Sequence, residues 1–238
     1  MAIPEDQENA VIDAALRLAA RRSWRDVRIA DIAAEAHMDL AELAKVASGK
    51  ADIVRRVSRR TDAAMLASLK AQPVDGDAHD RLFEIVMRRL EILAPHRAAL
   101  ASILDAPAGH PSGLAMLAGS VATTQRWMLA AAGLEEEGAG GVVKQGGLAC
   151  VYARTLRVWL TDDDPGFART MAALDGDLRQ GARWLRWAEV PVTFATALSG
   201  IARSLWRGRE PRSEAGYPPP PPPPPPAPAK RSSRKRSR

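Results

Sequence analysis

Apolar residues recur at the three- and four-residue spacing of an α-helix along most of the chain. In the first segment Val11, Ile12, Ala15 and Leu16 follow this spacing, after a start at Pro4 followed by acidic residues. Proline and acidic side chains are typical of the first turn of a helix. No stretch shows a sustained alternation of apolar and polar residues, which a half-buried strand would require. The pattern therefore predicts an all-α fold.

Glycines, prolines and polar clusters divide this pattern into ten predicted helices. Residues 72–77 (QPVDGD) are predicted to form a turn at a boundary between two domains, and residues 138–147 to form a mobile loop. The third helix starts at Asp39 as N-cap and is closed by Ser48 and Gly49. The other predicted helices span residues 4–22, 27–36, 50–71, 78–94, 96–105, 111–133, 142–161, 166–187 and 191–207.

The last part of the chain has a composition that cannot form a packed core. Residues 218–226 are nine consecutive prolines, which favour an extended polyproline II rod. Residues 230–238 (KRSSRKRSR) follow, with six basic side chains and no acidic one. We predict that residues 208–238 form a disordered polyproline and basic tail.

Charge is distributed unevenly between this tail and the rest of the chain. The chain has 34 Lys and Arg against 28 Asp and Glu, a net charge of +6. Six of the basic residues lie in residues 230–238, so the preceding residues carry 28 basic and 28 acidic groups. A cationic tail can neutralise phosphates of nucleic acid or meet an anionic membrane. The basic character of the chain does not indicate a basic folded surface.

Residues with candidate catalytic or metal-binding chemistry are few and scattered. The single Cys150 excludes an internal disulfide framework and suits a reducing compartment. The four histidines lack the spacing that places two metal ligands on one helix face, and residues 138–147 lack the Gly-Lys-Ser/Thr ending of a phosphate loop. With no signal peptide and no apolar run long enough to cross a bilayer, we expect a cytoplasmic protein. We expect no metal, no cofactor and no enzymatic activity.

Two segments near the N-terminus carry a resemblance to a known family. Residues 12–19 (IDAALRLA), Trp24 and residues 29–36 (IADIAAEA) resemble the N-terminal domain of TetR-type transcriptional regulators. The resemblance covers about residues 8–70 and implies a helix-turn-helix module that binds double-stranded DNA. It also implies that the core of this module includes four apolar residues, Ile29, Ile32, Ala33 and Leu43.

The chain departs from the family pattern where DNA would be contacted. The family's recognition-helix tyrosines are replaced by Ala44 and Val46, and its turn glycine by His37. Asp39 and Glu42 place negative charge on the helix that would face a polyanion. A helical scaffold with weakened DNA contacts is therefore an alternative. The residues expected to contact DNA are Arg25, Arg28, Lys45, Lys50 and Arg55.

A second resemblance covers about residues 78–187. Residues 90–96 (LEILAPH), Trp127 and residues 159–167 (WLTDDDPGF) are similar to the ubiquinone-biosynthesis accessory proteins. These share the TetR fold and bind isoprenoid lipid rather than DNA. The acid-rich turn also fits an ordinary helix start with Pro165 at the first helical position.

The final predicted helix has an apolar stripe flanked by arginines. Such a stripe suits a helix packed in a dimer or core, and also an interfacial helix on a membrane. The residues expected to contact a membrane in the second case are Trp184, Trp187, Phe194, Leu198, Ile201 and Trp206.

Together these observations predict a homodimeric TetR-like regulator controlled by a small apolar ligand. Residues 1–71 would bind DNA, and residues 72–207 would bind the ligand and dimerise through the helices predicted at 142–161 and 166–187. The alternatives are an isoprenoid-binding accessory protein in peripheral contact with a membrane, and a purely architectural dimer. Methionine and aromatic residues suit an adaptable apolar pocket, and the residues expected to line it are Met87, Met116, Trp127, Met128, Tyr152, Trp159, Phe167 and Met171.

Overall fold

The computed structural model describes residues 5–105 and 111–187, in which every regular element is a helix. The predictions for the helix at 191–207, the polyproline segment and the basic tail lie outside the described residues. Within the described residues, a 3₁₀ turn, Ala94–His96, joins two of the helices. The α-helices are α1 (Glu5–Arg21), α2 (Ile29–Glu35), α3 (Leu40–Val46), α4 (Lys50–Ala71), α5 (Ala78–Leu93), α6 (Arg97–Asp105), α7 (Pro111–Ala131), α8 (Gly138–Leu160) and α9 (Ala168–Trp187).

The helices begin where the sequence places acidic or capping residues. Glu5, Asp6 and Glu8 occupy the first turn of α1, where they complement the helix dipole. The Asp77 carboxylate caps α5 by accepting from the backbone N–H groups of His79 and Asp80. None of the described helices combines the length and the hydropathy needed to cross a membrane.

The prediction of a mobile loop over residues 138–147 is wrong, because these residues form the first turns of α8. Gly141 is buried, and a Cβ there would lie 1.9 Å from the carbonyl oxygen of Glu136. The Lys144 ammonium also pairs with the Glu136 carboxylate at 2.5 Å, across the N-terminus of α8. The glycine at residue 141 therefore permits a close backbone approach instead of breaking the helix.

A first hydrophobic core joins α1, α2, α3 and the start of α4 to α6. Ala99 and Ile103 of α6 are buried in this core, although they follow the turn at residues 72–77. The backbone N–H of Trp24 donates to Ser102 Oγ at 2.8 Å. The helix-turn-helix module is therefore bound to α6 by apolar packing and by a hydrogen bond. The larger buried residues of the cluster are Val11, Ile12, Leu16, Trp24, Val27, Ile32, Leu43, Val46, Ile53 and Val57.

A second hydrophobic core lies among α4, α5, α7, α8 and α9. The two long helices α8 and α9 pack along each other, and α5 contacts α4, α7, α8 and α9. Trp159, Leu90, Met128 and Leu174 are fully buried in this core. The other large members are Met65, Ile85, Val86, Met87, Leu93, Leu129, Leu148, Val151, Tyr152 and Leu178.

The corner between α8 and α9 is built by the acid-rich turn. Asp162 Oδ2 accepts from the backbone N–H and the hydroxyl of Thr170, at 2.8 and 2.7 Å. These bonds, the Thr170 hydroxyl first, lower the pKa of Asp162. The Arg97 guanidinium lies over the rings of Trp159 and Phe167. The helix α9 begins at Ala168, so Pro165 belongs to the turn and is not at the first helical position.

Candidate nucleic-acid interface and interior cavity

The turn between α2 and α3 has the hydrogen bonds of a Schellman motif. The N–H of His37 donates to the carbonyl oxygen of Ala34, and the N–H of Met38 donates to that of Ala33. His37 has φ +56°, in the left-handed region where glycine is usual. The side chain that replaces the family's turn glycine therefore keeps the same backbone geometry.

The two acidic residues of α3 form a reciprocal capping box. Asp39 Oδ1 accepts from the N–H of Glu42 at 2.7 Å, and Glu42 Oε2 accepts from the N–H of Asp39 at 2.9 Å. Both carboxylates therefore satisfy backbone donors at the helix N-terminus. The two acidic residues on the candidate recognition helix are therefore explained by their capping of the N-terminus of α3.

The outer face of α3 is small, apolar and exposed. Leu43 and Val46 point into the first core, whereas Leu40 is 55% exposed. Ala44 and Lys45 are also exposed. A short helix with such a face can approach a DNA groove closely, with one cation and with methyl groups as its contacts.

The five residues expected to contact DNA differ in what they contact within the described chain. Lys45 and Arg28 are exposed, and neither makes an ion pair within the described residues. Arg55 donates to Asp52 Oδ1 at 2.6 Å, and Arg25 donates to the backbone carbonyl of Asp105 at 2.8 Å. Arg25 and Arg55 are exposed, so they can reach a phosphate only by sharing or leaving these partners.

Lys50 was expected to contact a DNA phosphate, but its ammonium is bonded to backbone carbonyls of this chain. Its ammonium donates to the carbonyl oxygens of Trp24 and Val27, at 2.5 and 2.6 Å, and lies over the Trp24 ring. Burial lowers the pKa of Lys50, although the negative charge of Asp26 opposes this shift. The half-buried Lys50 therefore closes the loop between α1 and α2 from the start of α4.

Asp52 fixes the N-terminus of α4 next to this lysine. Its Oδ2 accepts from the N–H of Ser48 at 3.0 Å, and its Oδ1 accepts from Arg55. Burial alone would raise the pKa of Asp52, but the Ser48 N–H and the Arg55 side chain outweigh it and lower the pKa. The carboxylate is therefore held ionised at the junction between α3 and α4.

A partly open cavity of about 120 Å³ lies between the two hydrophobic cores. Val57 and Ile103 on its wall belong to the first core, whereas Leu93 and Tyr152 belong to the second. Five helices, α4 to α8, contribute to the wall. The lining residues are Val54, Val57, Ser58, Thr61, Arg89, Leu93, Leu100, Ile103, Leu104, Ser120, Val121, Thr124, Gln125, Tyr152 and Leu156.

A buried polar network forms one side of the cavity. Arg89 donates to Asp62 Oδ1 at 3.0 Å, to Ser58 Oγ at 3.1 Å and to the Tyr152 hydroxyl. The hydroxyl of Thr124 donates to Asp62 Oδ2 at 2.8 Å. Burial would lower the pKa of Arg89, but Tyr152 and Asp62 outweigh it and raise the pKa. Burial raises the pKa of Tyr152. Arg89 and Asp62 therefore form a buried ion pair, and both carboxylate oxygens accept hydrogen bonds.

Gln125 differs from this network because its amide has no partner. The side chain is 0% exposed and lines the cavity, and neither Nε2 nor Oε1 makes a hydrogen bond within the described residues. An unpaired buried amide is costly, since it loses its bonds to water without replacement.

The residues expected to line a ligand pocket are spread over several environments. Tyr152 lines the cavity, whereas Met87, Met128 and Trp159 are buried in the second core outside its wall. Trp127 and Met171 are 46% and 37% exposed on the surface and are not among the residues that line this cavity. Phe167 is half-buried at the α8–α9 corner under Arg97, and the side chain of Met116 lies outside the described residues.

Apart from Tyr152, the polar cavity residues are missing from the sequence-based expectation, although the pattern contains a signal for Arg89 and Gln125. Arg89 follows Ile85 and Val86 at helical spacing, on the apolar stripe of α5. Gln125 follows Val121 and precedes Met128 on the stripe of α7 in the same way. A polar residue at an apolar position of a helix stripe therefore marks the cavity better than methionines and aromatic rings do.

One group of residues has metal-ligand chemistry in the described part of the chain. Ligand atoms of Asp77, His79 and Asp80 lie within 4.8 Å of one another. Asp77 is occupied as the cap of α5, and His79 Nε2 lies 3.2 Å from Asp175. The group therefore has roles in capping α5 and in joining it to α9. The side chains of Trp184 and Trp187, and residues Phe194, Leu198, Ile201 and Trp206, named above for a membrane contact, lie outside the described residues.

Comparison with known proteins gives structural neighbours only. No family model matches the chain, and no curated protein matches it in sequence. A TetR transcriptional regulator from Nitrosomonas europaea superimposes with a TM-score of 0.62 and 25% identity, covering 74% of this chain and 98% of that one. A TetR transcriptional regulator from Rhodococcus sp. RHA1 superimposes with a TM-score of 0.57 and 16% identity, covering 78% and 98%. The expected all-α TetR-type fold is confirmed.

Proposed function

From its TetR-type fold, we propose that this chain is a DNA-binding transcriptional regulator that acts as a homodimer under the control of a small ligand. The observation that carries the proposal is the fold shared over nearly the whole length of a TetR regulator at 25% identity. The protein would then act in the cytoplasm, where bacterial-type operators are found.

The recognition helix in this proposal is α3. Its exposed Leu40 and Ala44 would contact thymine methyl groups in the major groove, and Lys45 would contact a phosphate or base edge. Arg28, exposed just before α2, would position the module on the backbone. Arg25 and Arg55 remain candidates, whereas the contacts of Lys50 favour a role in folding the module.

The ligand site in this proposal is the partly open cavity between the two hydrophobic cores. Leu100, Ile103 and Leu104 place one side of α6 on its wall. The same helix holds the module through the bond from the Trp24 N–H to Ser102 and the bond from Arg25 to the Asp105 carbonyl. A molecule that favours one position of α6 would therefore bias the position of the module and its affinity for an operator.

Two copies would meet through α8 and α9. Both helices carry exposed apolar side chains, Val142 on α8 and Met171 on α9. Two-fold symmetry would then pair the two modules on a two-fold operator.

The experiment that tests the proposal is selection of DNA sequences from a random pool by the full-length protein. We expect a palindromic consensus, bound at least about a thousandfold more tightly than random duplex at physiological salt. Recovery of no consensus, with equal affinity for all duplexes, would overturn the proposal.

A further inference from the structure

The orphaned amide of Gln125 specifies the chemistry of a molecule that fits the cavity. The Gln125 amide carries a donor and an acceptor side by side, both buried behind the cavity wall and both unpaired within the described residues. The natural complement is a group with an acceptor next to a donor, held in the cis arrangement found in a lactam or a primary carboxamide. Such a group satisfies both atoms with two parallel hydrogen bonds.

The charges around the cavity favour a neutral molecule. Arg89 is the cationic side chain on its wall, and it is paired with Asp62 at 3.0 Å. Arg89 also donates to Ser58 and Tyr152, and the second carboxylate oxygen of Asp62 is taken by Thr124. An anion would therefore find no uncompensated cation among the lining residues, and its desolvation would not be offset.

The size and the remaining wall favour a single ring. An engineered apolar cavity of about 150 Å³ holds benzene in another protein, and the cavity here has about 120 Å³. Leu93, Leu100, Ile103 and Leu156 line it with apolar groups. These contacts fit the flat apolar side of a small ring.

We propose that this cavity binds a neutral, ring-sized molecule with a cis-amide edge, and that the Gln125 side chain turns into the cavity to pair with that edge. That such a ligand regulates DNA binding rests on the proposed function, but binding of the ligand itself requires no DNA. A six-membered lactam such as 2-pyridone has the required ring and edge.

The test is binding of 2-pyridone to the full-length protein, measured by calorimetry or ligand-observed NMR without DNA. Three comparison ligands separate the contributions: N-methyl-2-pyridone lacks the donor, toluene has the same size with no polar edge, and benzoate is anionic. We expect 2-pyridone to bind at least about tenfold more tightly than each of them, because a site built for a polar edge rejects analogues that lack it.

Two variants assign the selectivity to one side chain. Gln125→Met, which keeps the length and removes the amide, is expected to abolish the preference for 2-pyridone and to improve toluene binding. Gln180→Met makes the same change at an exposed position of α9 and should leave all affinities unchanged. Circular dichroism checks that both variants keep the helical fold. If Gln125→Met does not fold, the order of ligand affinities for the wild-type protein tests the proposed site instead.

The outcomes separate this inference from the proposed function. Failure of 2-pyridone to bind, equal binding of toluene, or unchanged selectivity in Gln125→Met would overturn the site, whatever the protein does with DNA. Selective binding that leaves the affinity for a selected operator unchanged would confirm the site and contradict ligand control.

Discussion

His37 and Gly133 occupy the same position in two Schellman motifs of this chain. Gly133, with φ +67°, follows α7 with the bonds from its own N–H to Ala130 and from the Leu134 N–H to Leu129. His37 makes the equivalent bonds after α2 at φ +56°. A side chain with a Cβ is strained in this region, whereas glycine is not.

The comparison predicts opposite effects of two substitutions on stability. His37→Gly should raise the free energy of unfolding by about 1 kcal/mol, because it relieves the left-handed strain. Gly133→Ala should lower it by about 1 kcal/mol, since a Cβ there meets nothing within 4 Å and only the backbone conformation resists it. Urea denaturation of both variants measures these changes, and a loss of stability in His37→Gly would contradict the argument.

The carboxylate of Asp52 predicts a pH-dependent contribution to stability. Its pKa in the folded chain lies below the unfolded value, so its contribution is present above roughly pH 4 and is lost as the pH falls through the folded pKa. Asp52→Asn should therefore be about 1 kcal/mol less stable than the wild type at pH 7. This difference in the free energy of unfolding, the stability gap, should close as the pH falls below about 4.

Denaturation of both proteins between pH 7 and pH 3 measures that gap. Asp163→Asn is a matched control, because Asp163 is exposed in the α8–α9 turn and should show no gap at any pH. A gap for Asp52→Asn that stays constant down to pH 3 would show that the carboxylate charge plays no part.

Two lysines, one at the end of α3 and one at the start of α4, lie in different environments. Lys45 is exposed in the last turn of α3, whereas the Lys50 ammonium is bonded to the carbonyls of Trp24 and Val27. Lys45→Ala should leave stability within about 0.5 kcal/mol of the wild type. It should weaken DNA binding and reduce the slope of log affinity against log salt by about one if the lysine contacts a phosphate.

Lys50→Met should instead lower the free energy of unfolding by about 2 kcal/mol, because two buried carbonyls lose a charged donor. The salt slope of the folded Lys50→Met protein should equal that of the wild type. Chemical denaturation and salt titrations of DNA affinity measure both quantities. A reduced slope with unchanged stability in Lys50→Met would restore the original expectation of a phosphate contact.

The proposed homodimer predicts that the full-length protein sediments as a dimer at micromolar concentration. Met171→Glu, which puts a charge on α9, should shift the equilibrium towards the monomer, because a charge is costly to bury in an interface. Leu40→Glu makes the same change at an exposed apolar residue of α3 and should leave the dimer intact. A monomeric wild type, or equal effects of the two variants, would contradict a dimer through α9.

The charge distribution predicts that residues 230–238 dominate non-specific DNA affinity. They carry six basic side chains, whereas the rest of the chain has no net charge. Deleting residues 210–238 should reduce the slope of log affinity against log salt on random duplex by up to about five per chain. Superimposable salt dependences for the two proteins would leave these residues without a role in binding nucleic acid.

The sequence by itself determined the helices and most of their ends, because periodicity and capping are local properties. The apolar spacing of α1 and α4, the Asp39 cap and the acidic first turns depend only on residues within a few positions of one another. The loop prediction at residues 138–147 was wrong because it relied on the low helix propensity of glycine. Helix propensity is a weak predictor, and the close packing at Gly141 overrides it. The family resemblance of residues 12–19 and 29–36 likewise indicated the TetR-type fold.

Only the tertiary structure decided which polar side chains form hydrogen bonds and ion pairs inside the molecule. The partners of Arg89 are 27 and 63 positions away in Asp62 and Tyr152, and Lys50 reaches back 26 positions to Trp24. A spacing rule covers neighbours on one helix, whereas these contacts depend on how five helices meet. The same packing left Gln125 buried without a partner among the described residues, because the pairing of a buried amide depends on other helices that the local sequence does not specify.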